Sequence, residues 1–344
     1  MEITIIGNYG RGSSVSDGQT IKTRIVADIF ENRYGVESVK RIDTYGGAKR
    51  IFGLSYEILR YGIKSKKLVF LTDAHGIWLI PFLVYIVKKL TLNRLWTAYL
   101  VVGGWIPHFL PKHNLIKYFL RDLNGIYAET STMCKMLKNL GLLQTSVLPN
   151  CKNLRILDSK ELTSTYTEPL KLVTFSRVMK EKGIEDAITA VTKINNSLGR
   201  DVIELDIYGM IDPNQTKWFE LLKDSFPKYV HYKGIAPFEK SVEILKDYYA
   251  VLFPTRFFTE GIPGTIIDAY AAGVPVVSSK WESYSDVIDD GETGFCYEFG
   301  NVEALTAILL DISINHEKVV SLKNKCLKKA ENYSINSFIK QFDF

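Results

Sequence analysis

Residues 251–277 read VLFPTRFFTEGIPGTIIDAYAAGVPVV, and their punctuation decides the fold. Val251-Leu252-Phe253 is a short apolar run closed by Pro254, which cannot donate to a strand ladder. A helical stretch follows, Gly273 stops it as glycine commonly stops helices, and Val274-Pro275-Val276-Val277 resumes as strand. Strand, loop, helix, glycine and strand in that order form a parallel βαβ unit, so the chain reads as α/β.

The same alternation recurs outward from this unit. Apolar runs at 3–6, 68–71, 96–102, 125–128 and 146–148 form one set; runs at 170–176, 203–208, 229–232, 250–253, 274–278 and 294–297 form a second. Each set predicts an open parallel sheet, and a chain of 344 residues exceeds what one hydrophobic core usually supports. Residues 153–168 are polar and aperiodic, carry Thr163, Ser164, Thr165 and Thr167, and end before Pro169. They predict a linker, with domains at 1–165 and 166–326 and a last helical segment at 327–344.

Composition narrows the class. With 46% hydrophobic and 24% charged residues, the chain has none of the low hydrophobicity and high charge that mark disorder. The most apolar stretch, 77–87, contains Pro81 and is too short to span a bilayer. Cys134, Cys151, Cys296 and Cys326 form no CxxC pair and have no histidine at zinc-finger spacing, which predicts a reducing compartment and no structural metal. The opening MEITIIG is a strand rather than the basic start of a signal peptide, which predicts a cytoplasmic protein.

Charge is unevenly spread: residues 1–165 hold 23 Lys and Arg against 12 Asp and Glu, a net +11, whereas 166–344 hold 20 against 26, a net −6. The clusters Lys64-Lys66-Lys67, Lys88-Lys89-Arg94 and Lys112-Lys117-Arg121 lie near aromatics in the basic half. They predict a peripheral contact with an anionic membrane surface; the competing reading packs Trp78, Phe82 and Tyr85 inside and leaves the lysines as ordinary surface. No nucleic-acid partner is expected.

The chemistry concentrates on strand-to-helix turns. Glu260 falls in a loop and Asp268 eight positions later, about two helical turns, so both carboxylates are expected along one side of a ligand crevice. Gly261 and Gly264 allow close backbone approach, and a helix N-terminus there favours phosphate. Arg177 and Lys182 lie in FSRVMKEKG, residues 175–183, after the first strand of the second set. Two fixed cations at such a turn can stabilise a departing diphosphate without a metal. Gly7-Asn8-Tyr9-Gly10-Arg11-Gly12 is a further glycine-rich turn, spaced GxxGxG rather than the dinucleotide GxGxxG.

The pattern E-G-x-P-x-x-x-x-D-A-x-A-x-G-x-P-V from Glu260, with F-x-R-x-x-x-x-K-G from Phe175, resembles the retaining GT-B glycosyltransferases of family 4. The resemblance implies two facing Rossmann-like domains with a deep cleft between them. It implies a nucleoside-diphosphate sugar as donor, a saccharide or lipid-linked saccharide as acceptor, a role in cell-surface polysaccharide assembly, and no metal or other cofactor. Glu260 would orient the donor sugar, Arg177 and Lys182 would hold the diphosphate, and Gly261, Ile262, Pro263, Gly264 and Thr265 would line the donor loop. Asp268 stands where the family usually has Glu and would meet the ribose; Gly10, Gly12 and Gly209 would lie near the donor. His75 would close a strand and touch the donor sugar, and the last helix would cross back onto the N-terminal domain. The alternatives are a nucleotide-sugar epimerase and a non-catalytic subunit of the same fold.

Overall fold

The structure is a computed structural model and describes residues 1–10, 18–46 and 50–342. Twelve strands lie among these residues: β1 Ile3–Gly7, β2 Val39–Asp43, β3 Lys67–Phe70, β4 Trp96–Leu100, β5 Gly125–Ala128, β6 Thr145–Val147, β7 Leu170–Phe175, β8 Ile203–Tyr208, β9 Val230–Gly234, β10 Ala250–Phe253, β11 Val276–Ser279 and β12 Gly294–Tyr297. They form two six-stranded sheets, ordered β2-β1-β3-β4-β5-β6 and β12-β11-β10-β7-β8-β9. All the pairings are parallel, so the α/β expectation holds.

Parallel strands covered by helices on both faces are apolar throughout, which is why continuous apolar runs identified them. All five residues of β1 are buried. Alternate residues feed opposite faces: Ile6, Phe70 and Tyr99 join one core cluster, while Ile5, Val69 and Ala98 join another. The second sheet repeats this, with Val173 and Val251 on one side and Leu172 and Leu252 on the other.

The chain divides into two compact units, 1–153 with 335–344, and 154–334. The segment expected as a linker therefore starts the second unit. Its Leu157 is buried, and Leu154, Ile156 and Leu162 pack against the same core. The helix His316–Ala330 belongs to the second unit, and Ile335–Gln341 groups with the first, so the last boundary lies at 334 rather than 326.

Strand β2 escaped the sequence reading because Lys40 and Arg41 interrupt it; it is the edge of its sheet. The apolar stretch 77–87 becomes the helix Ile80–Leu90, with Pro81 in its first turn. Ile80, Leu83, Val84 and Val87 are buried at helical spacing.

Candidate functional site

In the second sheet, β7 to β9 run one way from the centre and β10 to β12 the other, so β7 and β10 are neighbours at the point where the winding reverses. In open α/β sheets ligands bind outside the carboxyl ends of the strands at such a point. The turn after β7 carries Arg177 and Lys182; the loop after β10 carries Glu260 and leads into the helix Gly264–Ala271.

These two turns lock together. A Cβ at Gly183 would lie 1.9 Å from the Pro254 carbonyl oxygen, and the residue has φ of 70°. Only glycine allows that approach in that conformation. The Arg256 backbone N–H donates to the Glu181 carbonyl at 2.8 Å. The Arg256 guanidinium makes a bidentate pair with Asp186, at 2.8 and 2.7 Å, and these hydrogen bonds hold its pKa above the ordinary value. Thr265 Oγ1 donates to the Phe175 carbonyl, tying the start of the helix to the end of β7.

The result is a paired cation and anion. Lys182 Nζ lies 2.5 Å from Glu260 Oε1, which also accepts from Thr255 Oγ1 at 2.9 Å. Both charged side chains are mostly buried, and Nζ lies 5.4 and 5.2 Å from the ring centroids of Phe253 and Phe257. Lys182 has three N–H donors, and only one points at Glu260 in this pair. Arg177 is one-third exposed and its guanidinium lies 3.6 Å from Asp212 Oδ2. Asp212 is itself fixed by the Asn214 N–H at 2.9 Å. Gly209 follows β8 with φ of 144°, where a Cβ would lie 1.8 Å from the Ser176 carbonyl oxygen. Its own carbonyl accepts from Tyr232 OH at 2.8 Å.

The helix Gly264–Ala271 starts at Pro263 with no side-chain cap. Its first N–H groups and the dipole favour an anion beside Lys182 and Arg177. Gly261 and Ile262 are buried, whereas Pro263, Gly264 and Thr265 are half-buried. Asp268 is only 3% exposed, and Glu260 is also mostly buried. Asp268 sits among the apolar residues that root the helix in the core.

The turns expected in the first unit look different. Gly10 is buried with φ of 63°, and its N–H donates to Asn8 Oδ1 at 2.9 Å. Gly12 lies outside the described residues. His75 does not close a strand: β3 ends at Phe70, and the His75 side chain is 97% exposed, with Nδ1 3.6 Å from Asp73 Oδ2. Within the second unit, Arg177, Lys182, Gly209, Glu260 and the 261–265 loop thus meet on the turns that follow β7, β8 and β10. Thr255, Asp186 and Asp212, which fix them, were not foreseen. Asp212 had a local signal, because an acidic residue before Pro213 is a common start of a helical turn.

Comparison with known proteins agrees with this picture. The family described as "Glycosyl transferases group 1" matches residues 158–332. The amylovoran biosynthesis glycosyltransferase AmsK of Erwinia amylovora is 27% identical over 175 residues, 50% of this chain and 42% of that protein. The putative colanic acid biosynthesis glycosyltransferase WcaL of Salmonella typhimurium is 26% identical over 171 residues, 47% of this chain and 40% of that protein. The matches thus span less than half the length of these curated relatives. Among solved structures, Anabaena HepE in complex with UDP and glucose superposes with a TM-score of 0.74 at 12% identity, covering 99% of this chain and 98% of that one. Sucrose-phosphate synthase of Thermosynechococcus elongatus does so with a TM-score of 0.77 at 14% identity, covering 99% and 96%. Both likenesses, together with the two parallel sheets, show the GT-B fold. With its second unit matched almost end to end, the chain belongs to the glycosyl transferases group 1 family.

Proposed function

We propose that this protein is a retaining, hexosyltransferase-type glycosyltransferase that moves a sugar from a nucleoside-diphosphate donor to a saccharide or lipid-linked saccharide in cell-surface polysaccharide assembly. The observation that carries this reading is the Lys182–Glu260 pair at 2.5 Å beside the uncapped helix at Gly264. A diphosphate needs fixed positive charge and N–H donors, a sugar needs a carboxylate to hold its hydroxyls, and both are supplied within one turn-to-turn contact.

On this reading Lys182, Arg177 and the first amides of the Gly264–Ala271 helix receive the diphosphate, and Glu260 orients the sugar. The acceptor oxygen bonds to the anomeric carbon on the face that the diphosphate leaves, the bond from that carbon to the phosphate oxygen breaks, and the acceptor proton passes to that oxygen. Positioning and electrostatics lower the barrier, and no metal is required. Purified protein offered a panel of nucleotide sugars with polysaccharide acceptors should release nucleoside diphosphate with one of them, at the same initial rate with and without EDTA. A panel without turnover rejects the reading, and a rate abolished by EDTA and restored by magnesium or manganese rejects its metal-free form.

Asp268 is proposed to meet the ribose, a contact made alike in the ground and transition states. Asp268→Ala should therefore raise the donor KM and leave kcat within about threefold. An unchanged donor KM would remove Asp268 from the site.

A membrane contact of the first unit is supported by its aromatic surface. Trp78 is 58%, Phe82 42%, Leu115 67% and Tyr118 55% exposed, contrary to the alternative in which Trp78 and Phe82 pack inside. Phe82 meets Phe119, and Tyr85 meets Tyr118, along neighbouring helices. Lys88 drops out of the basic cluster, since it is buried and donates to the Asp122 carbonyl. Among the described residues no helix is long and apolar enough to cross a membrane; the contact proposed is peripheral, at the cytoplasmic face. Sedimentation with liposomes should show binding to anionic but not neutral vesicles, reversed by high salt and weakened in Trp78→Ala/Phe82→Ala. Absence of binding to both vesicle types would sink the idea.

A further inference from the structure

We propose that Glu204, Asp206 and His231 form a binding site for a divalent transition metal, with zinc the best match, that fastens the edge strand β9 to β8. The site is separate from the donor turn and independent of the donor reading.

Glu204 and Asp206 are two apart on β8 and so project from one face of the sheet; His231 on β9 is the register partner of Asp206. One ligand atom from each residue lies within 4.8 Å of the others. The opposite face of β8 carries Ile203, Leu205 and Ile207 into the core, so Glu204 and Asp206 share the other face.

An independent observation points to a missing partner. Asp206 is only 6% exposed, and its Oδ1 is buried and accepts no hydrogen bond. An unsatisfied buried acceptor costs about 1–3 kcal/mol, more for a charged group. The other oxygen, Oδ2, accepts from Tyr248 OH at 2.5 Å. That hydrogen bond fixes the carboxylate and leaves Oδ1 as its open oxygen. A hydrogen bond to one oxygen that leaves the other open is the arrangement that orients a metal-ligating carboxylate.

The donor set fits the ion. Two carboxylates and a neutral imidazole balance a divalent charge, and one nitrogen with two oxygens suits zinc, with a fourth position for water. Tetrahedral bonds of about 2.1 Å place ligand atoms about 3.4 Å apart. His231 Nε2 and Glu204 Oε1 already lie 3.1 Å apart, and both side chains are partly exposed and can adjust. The cysteine spacing pointed to no structural metal, but a site assembled across two strands has no spacing signature to read.

Isothermal titration of untagged protein with zinc chloride tests this. The expected result is one zinc per chain, with affinity at least about tenfold weaker in both His231→Ala and Glu204→Gln. Zinc at about one hundred times Kd should raise the Tm of the wild type by about 5 °C or more and leave that of His231→Ala unmoved. Lys182→Ala should bind zinc as the wild type does, which separates this site from the donor turn. No saturable binding by the wild type, or binding untouched by both substitutions, would overturn the proposal.

Discussion

Lys182→Ala should lower turnover about 10²-fold or more, equivalent to about 3 kcal/mol of lost transition-state stabilisation, and Arg177→Ala should do the same. On the proposed function, the negative charge that develops on a departing diphosphate would be met by these two cations, which the β7 and β10 turns hold in place. Lys182 is held by Glu260 and flanked by Phe253 and Phe257, so its ammonium is already in place before a ligand arrives. Arg177 is held more loosely, at 3.6 Å from Asp212. The fold should survive both changes, because Thr255 still donates to Glu260 and the Arg256–Asp186 pair still joins the turns. Steady-state rates alongside Tm values check this; wild-type rates in both variants would exclude the phosphate role.

A second large effect is expected on stability. Lys22 and Glu129 form an ion pair at 2.5 Å within the first unit, with side chains only 3% and 4% exposed, and Lys22 Nζ also donates to the Val101 carbonyl at 2.8 Å. Removing one member of a buried pair leaves a charge in a low-dielectric interior, which typically costs about 3–5 kcal/mol. Lys22→Ala should therefore lower the unfolding free energy of the first unit by that order, read from urea denaturation. Exchanging both partners for apolar residues of similar size should recover much of the loss, since the pair's attraction is largely offset by the desolvation of its charges. A single-variant loss below about 1 kcal/mol would show that water or other side chains solvate Glu129.

What was legible in the sequence follows from burial. Strands such as β1 and β10 are apolar on both faces, so a continuous run announces them, while the edge strand β2 is half solvated and its Lys40 and Arg41 hide it. The 153–168 stretch looked like a linker because its few apolar residues follow no period. Leu157 and Leu162 nevertheless anchor it, and Leu162 lies where a Cβ on Gly273 would touch it. Glu260 and Lys182 could be read from local turns, but their contact spans 78 positions and is made by strand order, as is that of Arg256 with Asp186. His75 was misplaced because the run ending at Leu71 was carried too far. The chain leaves β3 at Phe70 and enters a turn at Ala74-His75, where the histidine is left in solvent. Glu204, Asp206 and His231 gave no signal, since alternating polar residues in a strand also describe an ordinary solvated face.

On the proposed function, the β7/β10 turn of the second unit is the donor-diphosphate site. Crystals grown with ADP, GDP or UDP test it most directly. The bound nucleotide should place its diphosphate at the N-terminus of the Gly264–Ala271 helix, within hydrogen-bond reach of Lys182 and Arg177, and Lys182→Ala crystals should lose it. Electron density for the diphosphate elsewhere, with Lys182 still held only by Glu260, would rule this turn out as the donor site.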